Sequence, residues 1–197
     1  MSPAHVLEPT YRRLKRAVLD GKWRGGAKLE AQRLADEYGV SMTPVRDSLN
    51  QLVGEGLVDL KPGEGFRVAP LSEKVLRDML DVNLALLELA NPAGSMLPGE
   101  ASRIEPDADY ADRVAGLFSN LAARSGNAFL RGLVTHVSDR LHAIRQFEPE
   151  FIPAALETIE GIEASLTGSA SDRRAALARY HRECCAVIPQ LVARANR

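Results

Sequence analysis

Aromatic residues make up only 5% of this 197-residue chain, cysteine occurs twice, and charge of neither sign dominates. Each shortage excludes something. No run of about 18 apolar residues occurs, so no membrane-spanning helix is expected. The opening stretch, MSPAHVLEPTYRRLKR, lacks the apolar core of a secretory signal. Cys184 and Cys185 are neighbours in sequence. Adjacent side chains on a helix point in different directions, so no disulfide between them is expected, and the chain reads as reduced and cytoplasmic. Catalytic signatures are missing too. There is no nucleophile motif, no glycine-rich phosphate loop after a strand, and no cysteine–histidine metal spacing. An enzyme is not expected.

What is present is an ordinary globular composition, 45% hydrophobic and 26% charged, with a net charge of −1. The charge is mildly uneven. Residues 1–75 hold 12 basic and 10 acidic side chains, and residues 76–197 hold 13 and 16. A first half that faces nucleic acid is compatible with this balance but is not required by it.

Hydrophobic spacing organises the first 70 residues. Tyr11, Leu14, Val18 and Leu19 form one stripe of a helix from about Pro9 to Asp20, with Pro9 suited to a first turn and Gly21 ending it. GKWRGGAK reads as a loop. A short helix over Glu30–Tyr38 turns Leu34, Ala35 and Tyr38 inward and stops at Gly39. A third helix follows almost at once, with Pro44 in its first turn and either Ser41 or Thr43 as its cap. Leu57, Val58 and Leu60, then Phe66, Arg67 and Val68, form two short strands around the turn Lys61–Gly65.

From Ser72 onward the pattern is helical throughout. Val75, Leu76, Met79, Leu80, Val82, Leu84, Leu86 and Leu87 fill one long helix, apolar over a broad face and so packed on more than one side. Residues 91–107 read as an irregular connection, with helices at about 108–125, 127–147, 150–166 and 170–194. Met79, Leu80, Leu86, Leu87, Phe118, Leu121, Phe129, Leu133 and Ile144 are the expected core. The fold class is therefore mostly α. A winged helix-turn-helix of three helices and a β-hairpin, over residues 1–70, precedes an all-α bundle over residues 71–197.

That first arrangement carries a functional expectation. A helix about 10–12 Å across fits the ~12 Å major groove of DNA. Val45, Leu49 and Leu52 anchor the third helix from below, which frees Ser41, Met42, Thr43, Arg46 and Asn50 to face a double-stranded operator. Arg46 is the foremost candidate, because its forked guanidinium pairs with guanine O6 and N7. Lys61 and Arg67 on the wing and Arg33 on the second helix are phosphate candidates. Gly63 permits close backbone approach at the wing tip.

The blocks DGKWRGGAKL, LADEYGVS, TPVRDSLNQL, EGLV and GEGFRV occur in order between residues 8 and 70. In this the chain resembles the DNA-binding domain of the GntR family of bacterial transcription regulators. The resemblance implies a homodimer on a palindromic operator. It also implies a recognition motif Ser-Arg-Thr-Pro-Val-Arg, matched by Ser41, Thr43, Pro44, Val45 and Arg46. Met42 stands where that motif has its first arginine.

The helical second half resembles the FadR-type subfamily most clearly in LFSNLAARSGNAFLRGLV and more weakly in ALARYHREC. That likeness implies a bundle that binds a small carboxylate effector, in many relatives through a divalent metal held by one Asp and three His. Carried over one by one, those ligand positions fall on Ala115, Ser119, the vicinity of Ile159, and His181. A frequent effector-binding arginine falls on Asn83. One imidazole is too few ligands, so no metal at that place and no cofactor are expected. Asn83, Ser119 and His181 remain as effector-contact candidates. His136 and His142, six apart, read as a polar surface pair near Asp139. Cys184 and Cys185 would sense oxidants only with a lowered pKa and exposure. A degenerate bundle that serves dimerisation alone is the alternative.

Overall fold

The computed structural model of the chain describes residues 3–91 and 108–196. Two compact units result, Met1–Leu71 with Asn196–Arg197, and Ser72–Ala195.

The first unit packs three helices, α1 (Pro3–Leu19), α2 (Ala31–Tyr38) and α3 (Met42–Gly54), with strands β1 (Lys28–Leu29), β2 (Val58–Lys61) and β3 (Gly65–Val68). The strands form an antiparallel sheet in the order β1-β3-β2, with Leu60 opposite Phe66 and Leu29 opposite Phe66 on the other side. Leu14, Val18, Leu34, Val45, Leu49, Leu52, Val58 and Val68 share one core, with Trp23 and Phe66 packed on its margin. Two expectations need correction here. The first helix begins at Pro3, and Pro9 lies inside it; the six residues ahead of Pro9 carry no stripe that reveals them. β1 lies in a stretch read as a loop, because two residues are too few for any periodicity and β3 supplies the pairing.

The turn between α2 and α3 follows from one glycine. Gly39 sits at φ +66, a left-handed conformation that a side chain disfavours. From there Val40 N–H donates to the Ala35 carbonyl at 3.0 Å, the closing bond of a Schellman motif. Ser41 occupies the N-cap position of α3, though its side chain makes no capping bond.

The second unit is a bundle of α4 (Glu73–Leu89), α5 (Tyr110–Ala123), α6 (Ala128–Arg145), α7 (Glu148–Phe151), α8 (Ala155–Ser165), α9 (Ala170–Ala186) and α10 (Ile188–Ala195). Side chains cap its helices: Ser72, Asp109 and Asn127 each accept a backbone N–H of the first turn, and Ser169 forms a capping box with Asp172. Two helices expected to be continuous are broken. Ile152 is extended because Pro153 follows it, which separates α7 from α8. Pro189 has no N–H for the Cys185 carbonyl, so the chain resets at Val187 between α9 and α10. Of the expected core, Met79, Leu80, Leu87, Phe118, Leu121 and Ile144 are buried, whereas Phe129 and Leu133 are exposed and Leu86 is half-buried. Val82 on α4 is exposed as well. All but Asn91 of the connection read at 91–107 lies outside the described residues.

Trp23 is the sole tryptophan and borders the first unit's core, so its fluorescence follows that unit's unfolding. In urea titrations read this way, Leu49→Ala is expected to cost about 2–5 kcal/mol, because Leu49 is fully buried. Leu60→Ala, at a side chain 51% exposed, is expected to stay within about 0.5 kcal/mol.

Candidate nucleic-acid interface and bundle interior

α3 divides cleanly. Val45, Leu49 and Leu52 are wholly buried, while Ser41, Met42, Thr43, Arg46, Asp47 and Asn50 are exposed. Ser48 faces inward, and its hydroxyl donates to the Pro44 carbonyl at 2.7 Å, so a polar residue on the buried side is satisfied within the helix. Arg46, Thr43 and Asn50 make no side-chain hydrogen bond or ion pair among the described residues. The C-terminal end of α3 is tied to α1. Tyr11 donates to Glu55 at 2.5 Å, and Lys15 pairs with Glu55 at 2.8 Å.

The wing tip is a turn in which Glu64 N–H donates to the Lys61 carbonyl at 3.1 Å. Pro62 precedes Gly63, whose φ is +77; proline then positive φ is the signature of a type II turn. Lys61 and Gly63 are exposed there. Arg67 differs from the other basic candidates. Its Nε donates to Glu64 at 3.1 Å and its Nη1 to the Gly26 carbonyl at 3.1 Å, so it braces the wing against the β1 approach. Arg33 is exposed on α2 and lines a cleft of about 310 Å³ together with Lys22, Trp23, Lys28, Glu30 and Glu37. Lys22 bonds to Glu37 at 2.5 Å and holds that carboxyl below the usual carboxylate range. Lys22 and Lys28 lie in the GKWRGGAK segment, where no periodicity marks a side chain as part of a surface. Arg13 stacks on the Tyr38 ring at 4.1 Å, a contact between α1 and α2 that the apolar stripe of α1 does not signal.

In the bundle, Asn83 and His181 come together: both line a narrow space between α4 and α9 with Leu80, Leu84, Leu87, Leu177 and Tyr180. Ser119, half-buried on α5, is not among its walls. Asn83 is 3% exposed and its Oδ1 has no hydrogen-bond partner among the described residues. His181 Nε2 meets Asp81 Oδ1 at 2.8 Å and lies 3.5 Å from Cys185 Sγ. Deeper inside, Glu148 accepts hydrogen bonds from Tyr110 and Tyr180, each at 2.9 Å. Arg145 is fully buried nearby, bonded to Ser138, with its guanidinium 5.0 Å from the centre of the Phe118 ring. The polar surface pair expected of His136 and His142 is not formed. His136 is exposed, but His142 is buried and faces Asp112 at 3.7 Å. Burial pushes the thiols of both Cys184 and Cys185 up, the opposite of what oxidant sensing requires.

Three helices, a tight turn between the second and third, and a three-stranded wing define a winged helix-turn-helix domain. Residues 8–68 match the family model of bacterial regulatory proteins, gntR family, so this domain is of the GntR type. The chain is 31% identical over 117 residues to the HTH-type transcriptional regulator BphR of Paraburkholderia xenovorans (strain LB400), covering 59% of this chain and 44% of that one. It is 38% identical over 71 residues to the HTH-type transcriptional repressor GlaR of Escherichia coli (strain K12), covering 36% and 32%. The matched stretch thus spans less than half the length of either relative. A GntR transcriptional regulator from Rhodococcus sp. RHA1 has the same fold, with a TM-score of 0.77 at 18% identity over 93% of this chain and 97% of that one. Among the described residues no helix is long and apolar enough to cross a membrane.

The buried carboxyl of Glu148 couples bundle stability to pH. Desolvation raises its pKa above the ordinary 4.5, against the opposing pull of Arg145 and of the two tyrosine hydroxyls. A raised carboxyl pKa means that the folded state binds the extra proton, so stability is expected to fall as pH rises above about 4.5 towards the folded value. Glu148→Gln is expected to remove this contribution, and urea unfolding at a series of pH values, followed by circular dichroism, measures the difference in slope.

Proposed function

We propose that the chain is a cytoplasmic transcription regulator, without catalytic activity, that binds a palindromic operator as a homodimer through α3 and the wing. The observation that carries this reading is the unpaired, exposed polar face of α3 above a fully buried apolar underside. In the major groove, Arg46 reads a base edge, with Thr43, Ser41 and Asn50 beside it. Lys61 and Arg33 neutralise phosphates on either flank, and the Gly63 backbone follows the adjacent groove. Met42 offers apolar contact where an arginine would have added a charged one, so sequence preference rests more heavily on Arg46. Arg67 acts chiefly by holding the wing in place.

The bundle is read as a divergent FadR-type effector and dimerisation domain. Exposed Val82 and Leu89 on α4, and Phe129 and Leu133 on α6, supply apolar surface for self-association. The Asn83 Oδ1 left without a partner beside His181 supports a small polar effector there, with Ser119 outside that space. Opposed to this, the same space leaves no room for a water molecule. That favours the second reading, in which the bundle serves dimerisation alone.

Selection from a random duplex library, followed by fluorescence anisotropy on the selected sequence, tests DNA binding. Affinity is expected to fall steeply with added salt. Arg46→Ala is expected to lose about 1–3 kcal/mol of discrimination while the fold persists. Equal binding by wild type and variant would reject α3 as the reading face. Light scattering of Phe129→Glu and Leu89→Glu checks the dimer surface, with monomers expected. Thermal shifts against a panel of small carboxylic acids separate the two readings of the bundle: a saturable shift supports an effector, and none supports the scaffold.

A further inference from the structure

We propose that Asp81, His181 and Cys185 form a binding site for a thiophilic divalent transition metal, zinc in the first instance. The ligand atoms of these three side chains lie within 4.8 Å of one another. His181 Nε2 is the shared neighbour, 2.8 Å from Asp81 Oδ1 and 3.5 Å from Cys185 Sγ. In a tetrahedral zinc site with bonds of about 2.0–2.3 Å, neighbouring ligand atoms stand roughly 3.3–3.6 Å apart. The sulfur–nitrogen edge already has that length, and the oxygen–nitrogen edge needs to open by only about half an ångström.

The scaffold suits the task. His181 and Cys185 are four residues apart on α9, the spacing that places two side chains on one helical face. Asp81 reaches across from α4, which packs beside α9. A ligand pair on one helix and a third on its neighbour fixes the site through the bundle's own packing. His181 is largely covered, with 20% side-chain exposure, while Asp81 is 58% exposed, so an ion has an approach from solvent on the aspartate side.

Charge and softness select the ion. An aspartate and a thiolate together carry −2 and neutralise a divalent cation. Thiolate and imidazole favour zinc and its neighbours over magnesium or calcium. Without metal, burial and the Asp81 carboxylate keep the Cys185 thiol protonated, while Arg77 opposes them. Metal entry therefore displaces the thiol proton, while a neutral His181 binds the ion through Nε2 with its own proton on Nδ1. Three protein ligands leave one position for water or an exogenous donor.

Two of the three ligands, Asp81 and Cys185, lie outside the positions carried over from the FadR-type likeness. Ala115 and Ile159, which occupy two of those positions, have no donor atom. This inference does not depend on the DNA-binding reading.

The test uses the full chain, stripped of metal and titrated with Co²⁺ and then Zn²⁺. One cobalt ion per chain is expected, with a thiolate-to-cobalt charge-transfer band in the near ultraviolet that zinc abolishes by displacement. Cys185→Ser is expected to lose the band, and Asp81→Asn to weaken zinc binding by at least the ~100-fold that loss of an outer-shell partner can cost. Circular dichroism and melting of the metal-free variants establish that both remain folded. A wild type that takes up no metal at micromolar concentration overturns the proposal. So does metal bound without a charge-transfer band, which places the ion away from Cys185, and so does a band that survives Cys185→Ser.

Discussion

The burial of Val45, Leu49 and Leu52 beneath α3 is the constraint on which the first unit depends. These side chains are wholly removed from water, each contributing about 1.5–3 kcal/mol relative to an exposed position. They fix the rotation of α3 about its own axis. Once that rotation is set, Ser41, Thr43, Arg46 and Asn50 have no choice but to face outward. The polar side is a consequence of the apolar one. Gly39 contributes the direction of the helix, since its left-handed backbone lets α2 end and α3 begin within three residues.

The bundle obeys a different logic. Its interior is not purely apolar: Arg145, Glu148, Tyr180 and Cys184 are buried in it. A buried carboxylate or guanidinium is costly unless it is paired and hydrogen-bonded. At Glu148 two tyrosine hydroxyls and the nearby Arg145 charge offset part of that cost, and desolvation still holds the carboxyl pKa above its ordinary value. Arg145 meets that requirement only in part, because its Nε and Nη2 have no hydrogen-bond partner among the described residues, and the Phe118 ring compensates through its π face. Arg173 is better served: it donates to Asn91 at 2.7 Å and to the Gly168 carbonyl at 2.6 Å, which fastens the α8–α9 turn.

Much of the first unit was legible before any coordinates. α2, α3 and the hairpin strands announce themselves through apolar periodicity punctuated by Gly39, Gly54 and the Lys61–Gly65 turn. The exposure of Arg46 follows from its place about 100° around the helix from Val45, off the stripe of Val45, Leu49 and Leu52 that is buried. β1 was not legible, because a two-residue strand exists only through its partner β3. Nor was the engagement of Arg67, whose acceptors Glu64 and Gly26 depend on the wing being folded. In the bundle, the apolar stripes located the helices but not their breaks. The resets at Ile152 and Val187 are local effects of Pro153 and Pro189, hidden because the surrounding sequence stays helical in composition. Phe129 misled because a large aromatic side chain is usually buried, and here it is not.

The sequence by itself determined the main helices, the hairpin, the buried face of each strongly periodic helix and the exposed polar side of α3, because these depend on spacing along a single helix or hairpin. Tertiary structure alone decided which distant groups became neighbours. Asp81 and His181 are 100 residues apart, Glu148 and Tyr180 are 32 apart, and no local pattern links either pair. Their meeting is set by how α4, α7 and α9 pack, and packing is a property of whole faces fitting together that no stretch of one helix records.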